Sequence, residues 1–322
     1  MNTFAYSLWF IMDNESLVFV FTLSGLEGIM YYRGTLFSFT LLCYCLILLI
    51  NIVLILTIIL DENLHEPMYI FLCNLCISGL YGTAGFYPKF LLDLLSYAHV
   101  SSYAGCLIQA FVLYSYACCD FSILSVMAYD RYVAICRPLQ YHSVMTKQRV
   151  TQLVSFSWFV PLFLLFIGTT FTFRLRLCGS HIPKLYCANF LITQLSCSAT
   201  SWITSSTPSN TTALVTIAIY FLHAVFIVYT YVYLVRSCLR SLEDRGKFMQ
   251  TCVPHLLSLI HVIVALLFDV MHMRYGSSDL PQSLQNFLAM EFLIVPPLLN
   301  PLIYGLKLTK IRNRILSLCV QK

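Results

Sequence analysis

"MAYDRYVAICRPLQY", residues 127–141, puts an acid and a base, Asp130 and Arg131, directly after a long apolar run, with Arg137 six residues further on. The run itself, residues 103–129, carries one charge, Asp120. A bilayer is crossed by about 20 mainly apolar residues in a helix, so this segment reads as a membrane span. Ionisable side chains at the edge of such a span are costly unless paired or hydrated, and they mark function by default. Packing alone requires neither Asp130 nor Arg131. The pair reads as part of a switch facing the cytoplasm rather than as a catalytic site.

Working outward, six more segments have the same character: residues 34–60, 68–87, 150–173, 211–235, 248–273 and 281–306, the first two without any charge and the last holding Glu291. The composition agrees, with 59% hydrophobic and 10% charged residues, against about 25% charged in a soluble domain. The expected fold is an all-α bundle of seven transmembrane helices. Residues 1–33 are expected to form an extracellular N-terminus, 34–306 the membrane domain, and 307–322 a cytoplasmic tail. The start "MNTFAYSLWFIMDNES" lacks a basic region and a small-residue cleavage site, so no cleaved signal peptide is expected. Met12 offers a second start.

Orientation follows from Lys and Arg, which favour cytoplasmic loops. Thirteen fall in one set of loops and the tail, six on the other side, so the C-terminus is cytoplasmic. Seven spans then put the N-terminus outside. Asn14 in "NES" and Asn210 in "NTT" are glycosylation sequons on that outer side. Four of the 14 cysteines, Cys106, Cys178, Cys187 and Cys197, also lie outside, where disulfides form; their spacing leaves three pairings open. After the seventh span, Leu308, Ile311, Ile315 and Leu318 recur at helical spacing among basic residues. That pattern suits a short amphipathic helix on the inner leaflet, with membrane lipid as its partner.

Asp130-Arg131-Tyr132 at the inner end of the third span and "NPLIY" at 300–304 in the seventh, with Asn51 and Trp158, resemble the rhodopsin-like G-protein-coupled receptors. "LHEPMYIFL" (64–72), "KFMQTCVPHL" (247–256), "PPLLNPLIY" (296–304) and the three-cysteine outer loop sharpen the likeness to odorant receptors, over residues 12–318. The stretch 72–95, "LCNLCISGLYGTAGFYPKFLLDLL", is similar to fish odorant receptors in particular.

The resemblance implies an odorant receptor of the plasma membrane, in the cilia of olfactory neurons, that binds a small-molecule odorant and activates a heterotrimeric G protein of the stimulatory olfactory type, raising cyclic AMP. The alternative is a non-odorant rhodopsin-like receptor for a small ligand. It implies disulfides Cys106–Cys187 and Cys178–Cys197. It also implies a pocket lined by Tyr114, Ala117, Cys118 and Phe121 on the third span, Thr216 and Tyr220 on the fifth, and Ile263, Leu266, Leu267 and Val270 on the sixth, with each set sharing a helical face. A departure lies at "IHVIVALLFD" (260–269), where many odorant receptors carry a Phe-Tyr pair near Ile263. The Ser/Thr-rich segment 198–212 reads as irregular.

Five residue readings stand beside the resemblance. Arg131 pairs with Asp130 at rest and turns to Tyr231 or a partner protein on activation, a bistable element. Arg131, Tyr132, Arg137, Arg245 and Lys247 form a basic docking rim. Pro301 has no amide donor and frees a carbonyl one turn back; Asn300 is placed to satisfy it, and Tyr304 to swing inward. Asp120 is an intramembrane acid that needs water, an ion or a partner; the usual acid of this receptor class on the second span is replaced by Gly79, so a water or sodium site is expected near Asp120, Asn51 and Asn300. Asp269, with His272, Arg274 and Glu291 in reach, either binds a ligand amine or pairs with His272 or Arg274.

Other classes fit poorly. No basic tract interleaves with aromatics, so no nucleic acid partner is expected. His65, His142, His255 and His261 do not fall at metal-ligand spacing, and there is no H-E-x-x-H, Gly-x-Ser-x-Gly or phosphate loop. An enzyme is not expected, and no cofactor is implied. A transporter or channel tends to show repeats or charged rings at the midplane, and the chain has no repeat.

Overall fold

The computed structural model describes residues 20–26, 31–197, 208–238, 256–265, 268 and 281–320. The bundle is built from α1 (Arg33–Leu60), α2 (Pro67–Leu95), α3 (Tyr103–Cys136), α4 (Lys147–Phe173), α5 (Pro208–Cys238), α6 (Leu256–Ala265) and α7 (Gln282–Lys307), followed by α8 (Thr309–Val320). Among the described residues, six of these, all but α6 and α8, are long and apolar enough to cross a membrane, and α6 is described over a shorter apolar stretch. The chain is a seven-helix membrane bundle.

The helices outrun the apolar segments that announce them. α2 continues through Pro88 to Leu95: the proline loses its amide donor and crowds the carbonyl one turn back, a cost that the buried packing of Phe86, Tyr87, Phe90 and Leu94 outweighs. α5 starts at Pro208, so residues 208–212 are helical and not irregular. Proline suits the first turn of a helix, where its missing amide would have no partner anyway. Asn14 and residues 198–207 lie outside the described residues.

α3 is the central helix: Leu113, Tyr116, Ala117, Phe121, Leu124 and Met127 are all buried. Two apolar clusters surround it. The inner one joins Phe121, Leu124 and Met127 to α2, α5, α6 and Ile311 of α8. The outer one joins Tyr116 and Ala117 to Phe86 and Phe90 of α2, Leu293 of α7, and Leu26. α2 and α3 approach closely because Gly82 leaves room for the Tyr116 ring, which a Cβ there would strike. By contrast, Phe156, Phe159, Phe163 and Phe166 of α4 point outward, as expected of a helix solvated by lipid rather than water.

A small sheet caps the outer end, in strand order β2-β1-β3. β1 (Val20–Leu23) runs antiparallel to β2 (Val100–Ser102) and parallel to β3 (His181–Ile182), with Phe21 opposite Ser101 and Leu23 opposite Ile182. Phe21 and Leu23 point into the protein while Val20 and Thr22 face out, the period-two alternation of a strand. The sheet continues into Gly25, whose amide donates to Lys184 O at 3.3 Å. A Cβ on Gly25 would come within 2.5 Å of the backbone of Lys184 and Leu185.

Candidate functional site

The inner end of α3 carries the charged pair Asp130 and Arg131. Asp130 is fully buried. One carboxylate oxygen, Oδ2, accepts from Arg131 Nε at 2.9 Å and also from its Nη2. The other, Oδ1, accepts from the Tyr141 hydroxyl at 2.8 Å. Tyr141 stands on a single helical turn, Tyr141–Val144, after Pro138 has ended the preceding segment. Burial, and then the Asp130 charge, push the Tyr141 hydroxyl well above its ordinary pKa, so it stays a donor at physiological pH. The acid therefore holds the arginine from one side and the loop from the other. Tyr132 lies under the Arg137 guanidinium, 5.9 Å from its ring centre, and meets Tyr233 edge-on. Tyr231 is buried in the inner cluster. Arg245 and Lys247 of the expected basic rim lie outside the described residues.

The freed carbonyl on α7 has a definite partner. Pro301 cannot donate to Pro297 O; Asn51 Nδ2 donates to it instead, at 2.8 Å, while also donating to Ile47 O. Asn51 of α1, and not Asn300, supplies this bond, because α1 presents a buried amide at the level where the proline breaks the ladder. Asn300 and Pro301 are buried beside it, and Tyr304 lies on the same helix. Gly79 of α2 completes this corner: a Cβ there would sit 3.6 Å from Asn51 Oδ1 and 3.5 Å from Pro297 Cβ.

Asp120 is buried on α3, with the hydroxyls of Ser78 and Tyr116 beside its carboxyl. Its Oδ1, Ser78 Oγ and Asn51 Oδ1 lack a well-formed hydrogen bond among the described residues. Buried polar atoms of this kind ask for water or an ion, and oxygen donors are what a hard cation such as sodium takes.

The expected pocket wall divides between the two clusters. Ala117 and Tyr114 belong to the outer one; Phe121, Tyr220 and Ile263 belong to the inner one or pack on it. Tyr220 and Phe121 rings lie 5.8 Å apart, and the Tyr220 hydroxyl bonds with Cys118 and Ser122 across the α3–α5 seam. Thr216 is half-buried one turn outward. His223 was not singled out by the sequence: its ring stacks on Tyr220, centroids 5.5 Å apart, and its Nδ1 donates to Ile219 O at 2.8 Å. A polar residue among apolar ones, three positions from Tyr220 on the same face, was the available signal. Leu266, Leu267, Asp269 and Val270 lie outside the described residues. Glu291 does not await a ligand: it pairs with His261 of α6.

The outer loop is fixed over this region by two disulfides, Cys106–Cys187 and Cys178–Cys197. Gln109 of α3 adds a brace, accepting from Cys187 N at 3.0 Å and donating to Gly85 O of α2 at 3.2 Å. At the inner surface α8 is tied to the first loop by Lys310–Glu66 and Arg314–Asp61 ion pairs, 2.6 and 3.0 Å. The side chain and backbone of Asn63, and then Arg314, hold the Asp61 carboxyl below the usual carboxylate range.

The sequence profile of the family described as "Olfactory receptor" matches residues 39–322. Olfactory receptor 6E1 of Mus musculus is 31% identical over 308 residues, 94% of this chain and 95% of that protein. Olfactory receptor 2K2 of Homo sapiens is 32% identical over 313 residues, covering 95% and 96%. Olfactory receptor 1D2 of Pan troglodytes is 33% identical over 300 residues, covering 91% and 92%.

Proposed function

The chain belongs to the olfactory receptor family, odorant-sensing G-protein-coupled receptors of the plasma membrane without enzymatic activity, and from that premise we propose that it binds a small odorant inside the bundle and activates the stimulatory olfactory G protein, raising cyclic AMP in the cilia of olfactory neurons. The observation that carries the coupling step is Arg131, held by a fully buried Asp130 that Tyr141 also engages. Releasing one arginine from one acid changes what the inner face offers a partner. Tyr132, Tyr231, Asn300, Pro301 and Tyr304 act with it. Residues 1–33 are the outer segment, 34–306 the receptor domain and 307–322 the inner tail, and Asn14 and Asn210 carry glycans.

The ligand site is the α3–α5–α6 region lined by Tyr114, Ala117, Cys118, Phe121, Thr216, Tyr220 and Ile263, together with Leu266, Asp269 and Val270. Apolar walls with a few convergent polar groups suit a small amphiphile. The test is cyclic AMP in cells expressing the chain with the olfactory G protein, screened against amino acids, amines, bile acids and small volatile organics. A response absent from untransfected cells supports the reading. Silence towards every compound, and no ligand-free activity, in cells whose surface is labelled for the receptor overturns the coupling.

The polar corner near Asp120, Asn51 and Asn300 takes water or a sodium ion. Removing the charge with Asp120→Asn is expected to abolish any dependence of thermal stability on sodium while leaving its response to a potassium control unchanged. A parent protein whose melting temperature is the same in sodium and in potassium chloride sinks the ion and leaves the water.

A further inference from the structure

We propose that His261 and Glu291 form a latch that holds α6 against α7 in the resting receptor and must part when α6 swings outward. The contact joins His261 Nε2 to Glu291 Oε1, and both side chains are 27% exposed. The bond needs only a hydrogen on Nε2, which a neutral ring of that tautomer and a protonated ring both provide.

The pair does not belong to the ligand pocket. On α6, Leu257, Ile260 and Val264 face outward while Ser258, Val262 and Ala265 face in; His261, four residues after Leu257, sits at the edge of the outward stripe. On α7, Leu284 and Phe287 are exposed, and Glu291 is the next residue of that stripe. The two side chains therefore meet at the lipid-facing lip of the α6–α7 seam. Glu291 lies nine residues before Asn300, roughly 13 Å further out at the helical rise, well inside the membrane. A carboxylate and an imidazole at that depth have no good alternative to each other, because either one alone faces hydrocarbon.

One side of the latch is anchored. α7 is fixed to α1 through Asn51 and Pro297 O, and at its outer end Asn286, itself buried, donates to Gly25 O. Motion at the seam is then motion of α6. Separating the helices by the length of one hydrogen bond breaks the contact and strands the carboxylate, so the pair opposes an outward displacement of α6.

The proposal rests on the reading of the chain as a switching receptor, and its test separates the two. Spin labels are introduced at Leu60 and Leu257 through a ketone-bearing unnatural amino acid, which spares the native cysteines. Distances are measured in ligand-free receptor in nanodiscs. Glu291→Gln and His261→Leu are each expected to raise the population at the longer distance about tenfold, the order of magnitude of one charge-assisted hydrogen bond. The swap His261→Glu with Glu291→His is expected to restore the parent distribution. Unchanged distributions in both single variants overturn the latch. Should those variants fail to reach the membrane, Glu291→His is read instead. Micromolar zinc then bridges two imidazoles and narrows the distribution to the short distance; no effect of zinc overturns the contact and the latch with it. Ligand-free nucleotide exchange on the olfactory G protein is recorded alongside. A distance shift without a rise in exchange supports the latch and counts against the proposed coupling.

Discussion

Replacing Arg131 with alanine is expected to abolish G-protein activation, whereas replacing Asp130 with asparagine is expected to raise it without ligand. The opposite signs follow from the geometry. Asp130 is fully buried and divides its two oxygens between Arg131 and Tyr141. Asparagine keeps one acceptor oxygen for Tyr141 but loses the charge that holds the guanidinium. Hydrogen bonds to charged groups contribute about 1.5–3 kcal/mol, so their loss shifts the resting equilibrium about 10–100-fold toward a free arginine. Arg131→Ala instead removes the group that a partner engages. Breaking a buried ion pair by deleting one partner costs about 3–5 kcal/mol when the other stays charged. Asp130 keeps the bond from Tyr141 in the variant, which offsets part of that cost, so the variant is expected at the cell surface. The measurement is ligand-free nucleotide exchange in membranes, normalised to surface receptor, for each single variant and the double. The double is expected to be silent, since freeing an absent arginine changes nothing. If Asp130→Asn is as silent as Arg131→Ala, the acid is needed for coupling rather than for restraint.

What the sequence made legible here was local. The charge-free run 34–60 gives α1, thirteen basic residues against six give the orientation, and one proline at 301 announces a free carbonyl. Each of these is readable because bilayer thickness, loop charge and the missing proline amide act on neighbours in the chain. The partner of that carbonyl was not readable. Asn51 stands 246 residues away, and Asn300, adjacent to the proline, is the nearer guess on sequence distance alone. The same limit hid the outer sheet. Residues 20–23, Val-Phe-Thr-Leu, span only four positions with no apolar–polar alternation, and their partners begin at Val100 and His181. A strand that short has no signal apart from the strands it joins.

The candidate site divides along the same line. Arg131 and Asp130 are adjacent, so their pairing follows from the motif. Tyr141 is eleven residues on and reaches Asp130 only because Pro138 starts a tight turn that sends the loop back across the helix end. Glu291 shows the harder case. The sequence puts it in reach of Asp269, but helix rotation is not fixed by apolar spacing when a span is apolar all round. The contact with His261 needed both rotations at once.

The second large effect is expected from Cys106→Ser, and it also decides the disulfide pairing on the protein itself. Cys106 and Cys187 are both fully buried, and their bond closes a loop of 81 residues in sequence separation. In the chain-entropy account a loop of that length contributes about 4.5 kcal/mol, and one of 19 residues, the separation of Cys178 and Cys197, about 3 kcal/mol. The larger figure is comparable to the stability of a whole domain. Losing the long bridge also frees the loop that Gln109 holds through Cys187 N, so the roof over the pocket goes with it. Surface labelling of Cys106→Ser is expected to fall to background, and that of Cys178→Ser only in part. Cys187→Ser must match Cys106→Ser, and the double variant must be no worse than either, because two partners share one bond. Cys197→Ser must match Cys178→Ser in the same way. Any other pairing of the four cysteines predicts a different set of matches: if Cys106→Ser were matched by Cys178→Ser or by Cys197→Ser while Cys187→Ser stood apart, the long bridge would end elsewhere and Gln109 would be bracing a Cys187 not bonded to α3.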